Sequence, residues 1–173
     1  GYTRQTGITK ARGDYISFLS ADDEYYENYL ETMINYAKSY PDSILYSDFD
    51  LMDEKGNIAG ISKTPEFPSY EAFVDAVIKS AREDRMFVCW NIFSPLKLQL
   101  KVGYNPYKEF GEDLDFLLRS ILIHKIRYVH VPFSLFKYRI SQTMTTQQKW
   151  NEIHENNQRT FMEINAMLGS TIL

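Results

Sequence analysis

Short runs rich in β-forming residues alternate along this chain with longer stretches of helical periodicity, and that alternation limits the fold more than any other feature. Residues 15–19 read as a short buried strand. From 24 to 40, Tyr26, Tyr29, Leu30, Met33, Ala37 and Tyr40 recur at helical spacing, and Pro41 stops the helix. Residues 44–49 read as a second strand, 53–57 as a turn, and Ile58 as the start of a return strand. A helix over 69–81 presents Phe73, Val74, Val77 and Ile78 on one face. Residues 86–93 form a third strand, and Ser94-Pro95 opens a short helix ending near Gly103. After a loop over 104–110, a helix over 112–125 turns Leu114, Leu117, Leu118, Ile121 and Leu122 inward. Residues 127–131 make a fourth strand, 132–147 read as polar loop, and 151–168 as a final amphipathic helix. This order predicts an α/β fold: a Rossmann-like, mostly parallel sheet flanked by helices. In such sheets ligands bind beyond the carboxyl ends of the strands.

Composition narrows the function. The 173 residues are 44% hydrophobic and 24% charged, as in an ordinary globular domain. A net charge of −4 and a pI near 5.4 argue against a nucleic-acid partner. Cys89 is the only cysteine, so no intrachain disulfide forms, which fits a reducing compartment. Residues 1–13 are polar and carry no signal-peptide core, and the longest apolar stretch, 86–93, is far too short to span a membrane.

At the end of the first strand stand adjacent carboxylates, Ser20-Ala21-Asp22-Asp23. Alone they fit a helix start, since the pattern matches a capping box and acids favour a first turn. They equally fit a hard divalent cation, which takes oxygen ligands and commonly one or two carboxylates plus substrate phosphates. A second acidic cluster, Phe110-Gly-Glu-Asp-Leu-Asp-Phe-Leu-Leu-Arg119, also lies at a helix start, where Asp115 can pair with Arg119 one turn on.

The segment from Arg4 to Asp23 resembles the family 2 glycosyltransferases: Gly7, Ile8, Ala11, Gly13, Tyr15, Ile16, Phe18, Leu19, Asp22 and Asp23 fall in register with that family's first signature. Ser20 stands where the family usually carries the first acid of a triplet. Glu112 and Asp113, followed by Asp115 and Arg119 and preceded by Gly103-Tyr104-Asn105, resemble its second signature. Tyr138-Arg139-Ile-Ser-Gln-Thr143 resembles its closing motif, with Ser141 in place of the usual His. The resemblance implies a GT-A type fold and a nucleotide-sugar transferase. It implies that Asp22 and Asp23 bind Mn²⁺ or Mg²⁺ and the donor, with Arg4 and Arg139 on the donor side. It implies that Asp113, beside Glu112, is the base that takes the acceptor proton, with inversion and a metal acting as Lewis acid. Trp90, Asn91 and Tyr104 are the candidate acceptor contacts. The expected partners are a donor of the uridine diphosphate type and a saccharide or lipid-linked acceptor, and the expected setting is cytoplasmic, at the inner face of a membrane.

The same resemblance implies that residues 1–146 are the later part of the catalytic domain, with 147–173 a C-terminal helix packed on it. Nothing like the family's opening strands precedes Gly1. A sheet lacking its first strands exposes an edge, so self-association through that edge is expected. Two other readings stand beside the transferase. One is a degenerate relative kept for binding or assembly, which Ser20 and Ser141 favour. The other is a phosphatase built on Asp48 and Asp50, although these acids more simply flank a strand and turn. An EF-hand counted from Asp48 fails, because its sixth position is Asp53 rather than Gly.

Overall fold

The computed structural model describes residues 1–83, 91–141 and 148–169. Its elements are α1 (Tyr2–Lys10), β1 (Tyr15–Ser17), β2 (Glu24–Tyr25), α2 (Tyr29–Ser39), β3 (Ser43–Met52), β4 (Ile58–Ser62), α3 (Tyr70–Glu83), β5 (Phe93–Pro95), α4 (Leu96–Val102), α5 (Glu112–Leu118), a π-helical turn (Arg119–Ile123), β6 (Arg127–Arg139) and α6 (Trp150–Met167). The strands form one sheet in the order β1-β5-β3-β6-β2, with β4 also paired to β3.

β3 is the centre of the fold, and its sequence says why. Ile44, Leu45 and Tyr46 are all buried, and alternate residues point to opposite faces. Ile44 and Tyr46 join a large core with Phe73, Val77, Leu114, Leu118 and Phe161, from α3, α5 and α6. Leu45 joins a smaller core with Tyr29, Met33 and Ala37 of α2 and with Val131 and Leu135 of β6. Helices thus cover both faces, the α/β arrangement expected. The parallel relation is carried by the long β3–β6 pair, whereas the other described pairs are antiparallel. Consequently β1, β3 and β6 run one way, and their carboxyl ends share one edge of the sheet.

Several boundaries differ from the periodic reading. The helix expected over 24–40 begins at Tyr29, because Glu24 and Tyr25 pair with Lys137 and Phe136. Residues 132–139, expected as loop, continue β6. The register passes from Ser47↔Val131 to Asp48↔Ser134, so Pro132 and Phe133 bulge out of the ladder. A proline has no N–H for the ladder and is tolerated at such a bulge. α1 was invisible to periodicity, since Ile8 is its one buried residue. Most of the strand expected at 86–93 lies outside the described residues.

Candidate active site

The chain leaves β1 at Ser17 and reaches Asp23 through a turn in which the Asp23 N–H donates to the Ser20 carbonyl at 3.2 Å. Asp22 is exposed, whereas Asp23 is 6% exposed. Asp23 Oδ1 accepts the backbone N–H of Arg139 at 3.0 Å, across 116 residues of sequence. Asp23 Oδ2 is buried with no hydrogen-bond partner. Burial pushes the Asp23 carboxyl above its ordinary value, the Arg139 N–H pulls it down, and the neighbouring Asp22 charge pushes it up again. The Ser20 hydroxyl adds a weaker downward pull without bonding Oδ2. The helix-cap reading of these acids does not describe this geometry. They precede β2 rather than a helix, and α2 has no side-chain cap.

Arg139 holds the acidic loop together. Its Nε donates to the Asp22 carbonyl at 2.8 Å, Nη1 to the carbonyls of Asp53 and Glu54 at 3.0 and 3.3 Å, and Nη2 to Glu24 Oε1 at 3.2 Å. Lys137 Nζ bonds the other Glu24 oxygen at 2.9 Å and lies over the Tyr26 ring. The Tyr26 hydroxyl donates to Asp50 Oδ2 at 2.5 Å, and that bond first, then burial, raises the phenol to about 12. The fold brings together Asp22, Asp23 and Arg139, the donor-side set expected from the sequence. Arg139, however, spends most of its donors on this chain rather than on open space.

The second cluster starts α5. Gly111 precedes it at φ +72°, a conformation glycine adopts without strain, and a Cβ there would stand 2.8 Å from Asn157 Oδ1 of α6. Asp115 is buried and accepts Arg119 Nε at 2.9 Å and Nη2 at 2.6 Å. Arg119 also donates to the carbonyls of Val102 and Gly103, tying α5 to the end of α4. Asp113 Oδ1 accepts the Leu114 N–H at 2.8 Å. Glu112 Oε1 lies 3.6 Å from Arg4 Nε. Arg4, grouped with the donor acids by sequence, is therefore found against the second acid pair. Of the candidate acceptor contacts, Trp90 lies outside the described residues. Asn91 and Tyr104 are 1% and 4% exposed, so neither side chain is open to a ligand here.

Asp48, on which a phosphatase would depend, has no oxygen to spare. Its carboxylate accepts Lys63 Nζ, the Thr64 N–H, the Thr64 hydroxyl and His130 Nε2, each at 2.9 Å, and it is 2% exposed. Burial alone would raise its pKa, but these bonds outweigh it and bring the carboxyl to about 2. The phosphatase reading is set aside on that geometry. Periodicity could not reveal this cluster, because His130 and Asp48 are 82 residues apart.

Among the described residues no three His, Cys, Asp or Glu side chains converge on a metal position. The chain offers Asp23 Oδ2, buried and unbonded, and the exposed carboxylate of Asp22. That donor set suits Mg²⁺ or Mn²⁺ only if diphosphate oxygens and water complete the shell, which is how such ions are usually held.

Comparison with known proteins gives the family and the fold. The sequence profile described as glycosyl transferase family 2 matches residues 1–92. The chain belongs to glycosyl transferase family 2. An uncharacterized glycosyltransferase of Rickettsia typhi is 26% identical over 152 residues, 86% of this chain and 46% of that protein. One of Methanocaldococcus jannaschii is 28% identical over 141 residues, 81% of this chain and 47% of that protein. The chain thus spans about half the length of these relatives. Among solved structures, S. aureus TarS 1–349 in complex with UDP-GlcNAc superposes with a TM-score of 0.66 at 13% identity, covering 95% of this chain and 46% of that one. The same protein in complex with UDP gives 0.57 at 12% identity, covering 93% and 48%. The fold is therefore that of the GT-A transferases. Among the described residues no helix is long and apolar enough to cross a membrane.

Proposed function

We propose that the protein of which this chain is part moves a sugar from a nucleotide-diphosphate donor to an acceptor hydroxyl with inversion, using Mn²⁺ or Mg²⁺ at Asp22 and Asp23. The observation that carries the reading is Asp23 itself. One of its oxygens is fixed by the N–H of Arg139 at the carboxyl end of β6, the other is buried without a partner, and the residue lies on the turn that leads from β1 to β2. A buried carboxylate oxygen without a partner is costly, and a bound cation would satisfy it. A bound metal would act as a Lewis acid on the departing diphosphate. That TarS binds UDP and UDP-GlcNAc supports a donor of the uridine diphosphate type.

In this reading Asp113 takes the proton from the acceptor hydroxyl as it attacks, a role that needs a carboxylate within hydrogen-bond reach. Glu112 stands beside it. Arg139 keeps the loop of Asp22 and Asp23 in place and has about one N–H left for the diphosphate. The acceptor is a saccharide or lipid-linked hydroxyl, in a cytoplasmic protein at a membrane face. Calorimetric titration of UDP-GlcNAc with and without Mn²⁺, into the chain and its Asp22→Ala/Asp23→Ala variant, tests the proposal. Metal-dependent binding that disappears in the variant is expected. Binding indifferent to the metal and to both substitutions would refute the metal role. No binding by the full-length protein would favour a relative kept for assembly.

A further inference from the structure

The first turn of α5 carries three carboxylates, and the structure treats them unequally. Asp115 is matched by Arg119, and Glu112 by Arg4. Asp113 is the carboxylate of that turn with no cation within ion-pair distance among the described residues. Arg4 comes from α1, at the far end of the sequence, and its setting is built rather than incidental. The guanidinium lies 5.6 Å from the centre of the Phe18 ring and 5.7 Å from that of Tyr104. Those rings meet edge to face, and Tyr104 is stacked on Phe116 of α5. A cation held over aromatic faces is partly desolvated, and its pairing with a carboxylate strengthens accordingly.

Neighbouring residues repeat the connection. Gln5 Oε1 accepts the Tyr104 N–H at 2.7 Å. Gly1 packs so close to the following loop that a Cβ would fall 1.8 Å from the Asn105 carbonyl oxygen. From the other side, Lys108 Nζ bonds Thr160 Oγ1 at 2.7 Å and Glu163 at 3.0 Å on α6. The loop between Gly103 and Gly111 is held between two helices.

The structure assigns Arg4 as a positioning residue on the acceptor side of the site rather than a donor contact: held beside Phe18 and Tyr104, it fixes Glu112 and leaves Asp113 as the unpaired carboxylate of the turn. This rests on the proposed role of Asp113 as base. Matching two of three acids to arginines holds those two still. The third stays free to accept a proton without a guanidinium competing for its lone pairs.

Two measurements test it. In the chain, carboxyl-carbon NMR compares wild type with Arg4→Gln and Arg4→Lys. The Glu112 and Asp113 resonances are expected to move in Arg4→Gln, with Asp22 and Asp23 unmoved. Partial return is expected in Arg4→Lys, which keeps charge but loses the planar fork. In the full-length protein, with UDP-GlcNAc as donor, Arg4→Gln should lower kcat about tenfold to a hundredfold through misplacement. The donor KM, and UDP affinity in Mn²⁺, should stay within about twofold. Arg4→Gln/Glu112→Gln should be no slower than either single variant. Shifts at Asp22 and Asp23 with Glu112 and Asp113 unmoved, or a tenfold loss of UDP affinity, would overturn the assignment. Full turnover in Asp113→Asn would instead sink the proposed base, while the resonances still report where Arg4 acts.

Discussion

Replacing Asp48 with Asn removes the charge at a carboxylate that accepts four hydrogen bonds, from Lys63, His130 and both donors of Thr64. They join β3 to β6 and to the segment that follows β4. The carboxyl is held at about 2 against an ordinary 3.8. At about 1.4 kcal/mol per pK unit, that difference corresponds to roughly 2 kcal/mol of stability at neutral pH. Leaving charged and buried partners unmatched can raise the cost towards about 3–5 kcal/mol. The sign follows from the depressed folded value: the stabilisation is present above the unfolded pKa and is lost as pH falls through the folded one, between about 4 and 2. Urea unfolding followed by circular dichroism is the assay. With an m-value of roughly 2 kcal/mol per molar, the midpoint of Asp48→Asn should fall by about 1 M or more at pH 7. The gap from wild type should close as pH is lowered from 4 to 2. Midpoints that coincide at pH 7, or a gap that persists unchanged to pH 2, would refute the argument.

Asp23→Asn should behave oppositely. Its carboxyl is raised by burial, so ionisation costs stability as pH rises above the ordinary value, and the variant should unfold at equal or higher urea at pH 7 while losing Mn²⁺ affinity. Gly111→Ala meets both a positive φ and Asn157, and should cost about 1–2 kcal/mol or more, read as a lower thermal midpoint. Met33→Ala empties a fully buried position under β3 and should cost about 2–5 kcal/mol in the same melt. Asp113→Asn should cut turnover of the full-length protein by about a hundredfold or more while leaving donor affinity intact, measured by UDP release.

Much of this architecture was legible because it is local. Alternating apolar runs and helical spacing depend on near neighbours, so β3, α3, α5 and α6 could be placed from periodicity. The Asp115–Arg119 pair follows from one turn of helix, and the 53–57 turn from side chains bonding their own backbone, as Asp53 does with the N–H groups of Lys55 and Asn57. Tertiary structure alone decided the rest. Whether Glu24 and Tyr25 continue a helix or pair with β6 depends on a strand more than a hundred residues away. Pro132 reads as a loop until the β3 ladder supplies a bulge to hold it. The Arg139 N–H on Asp23, Arg4 on Glu112 and His130 on Asp48 join residues that no window of sequence contains together. Local sequence determined which residues could carry charge at an element's end. The folded path of the chain determined which charges meet, because pairing energy depends on distance and burial in space, and neither is written along the chain.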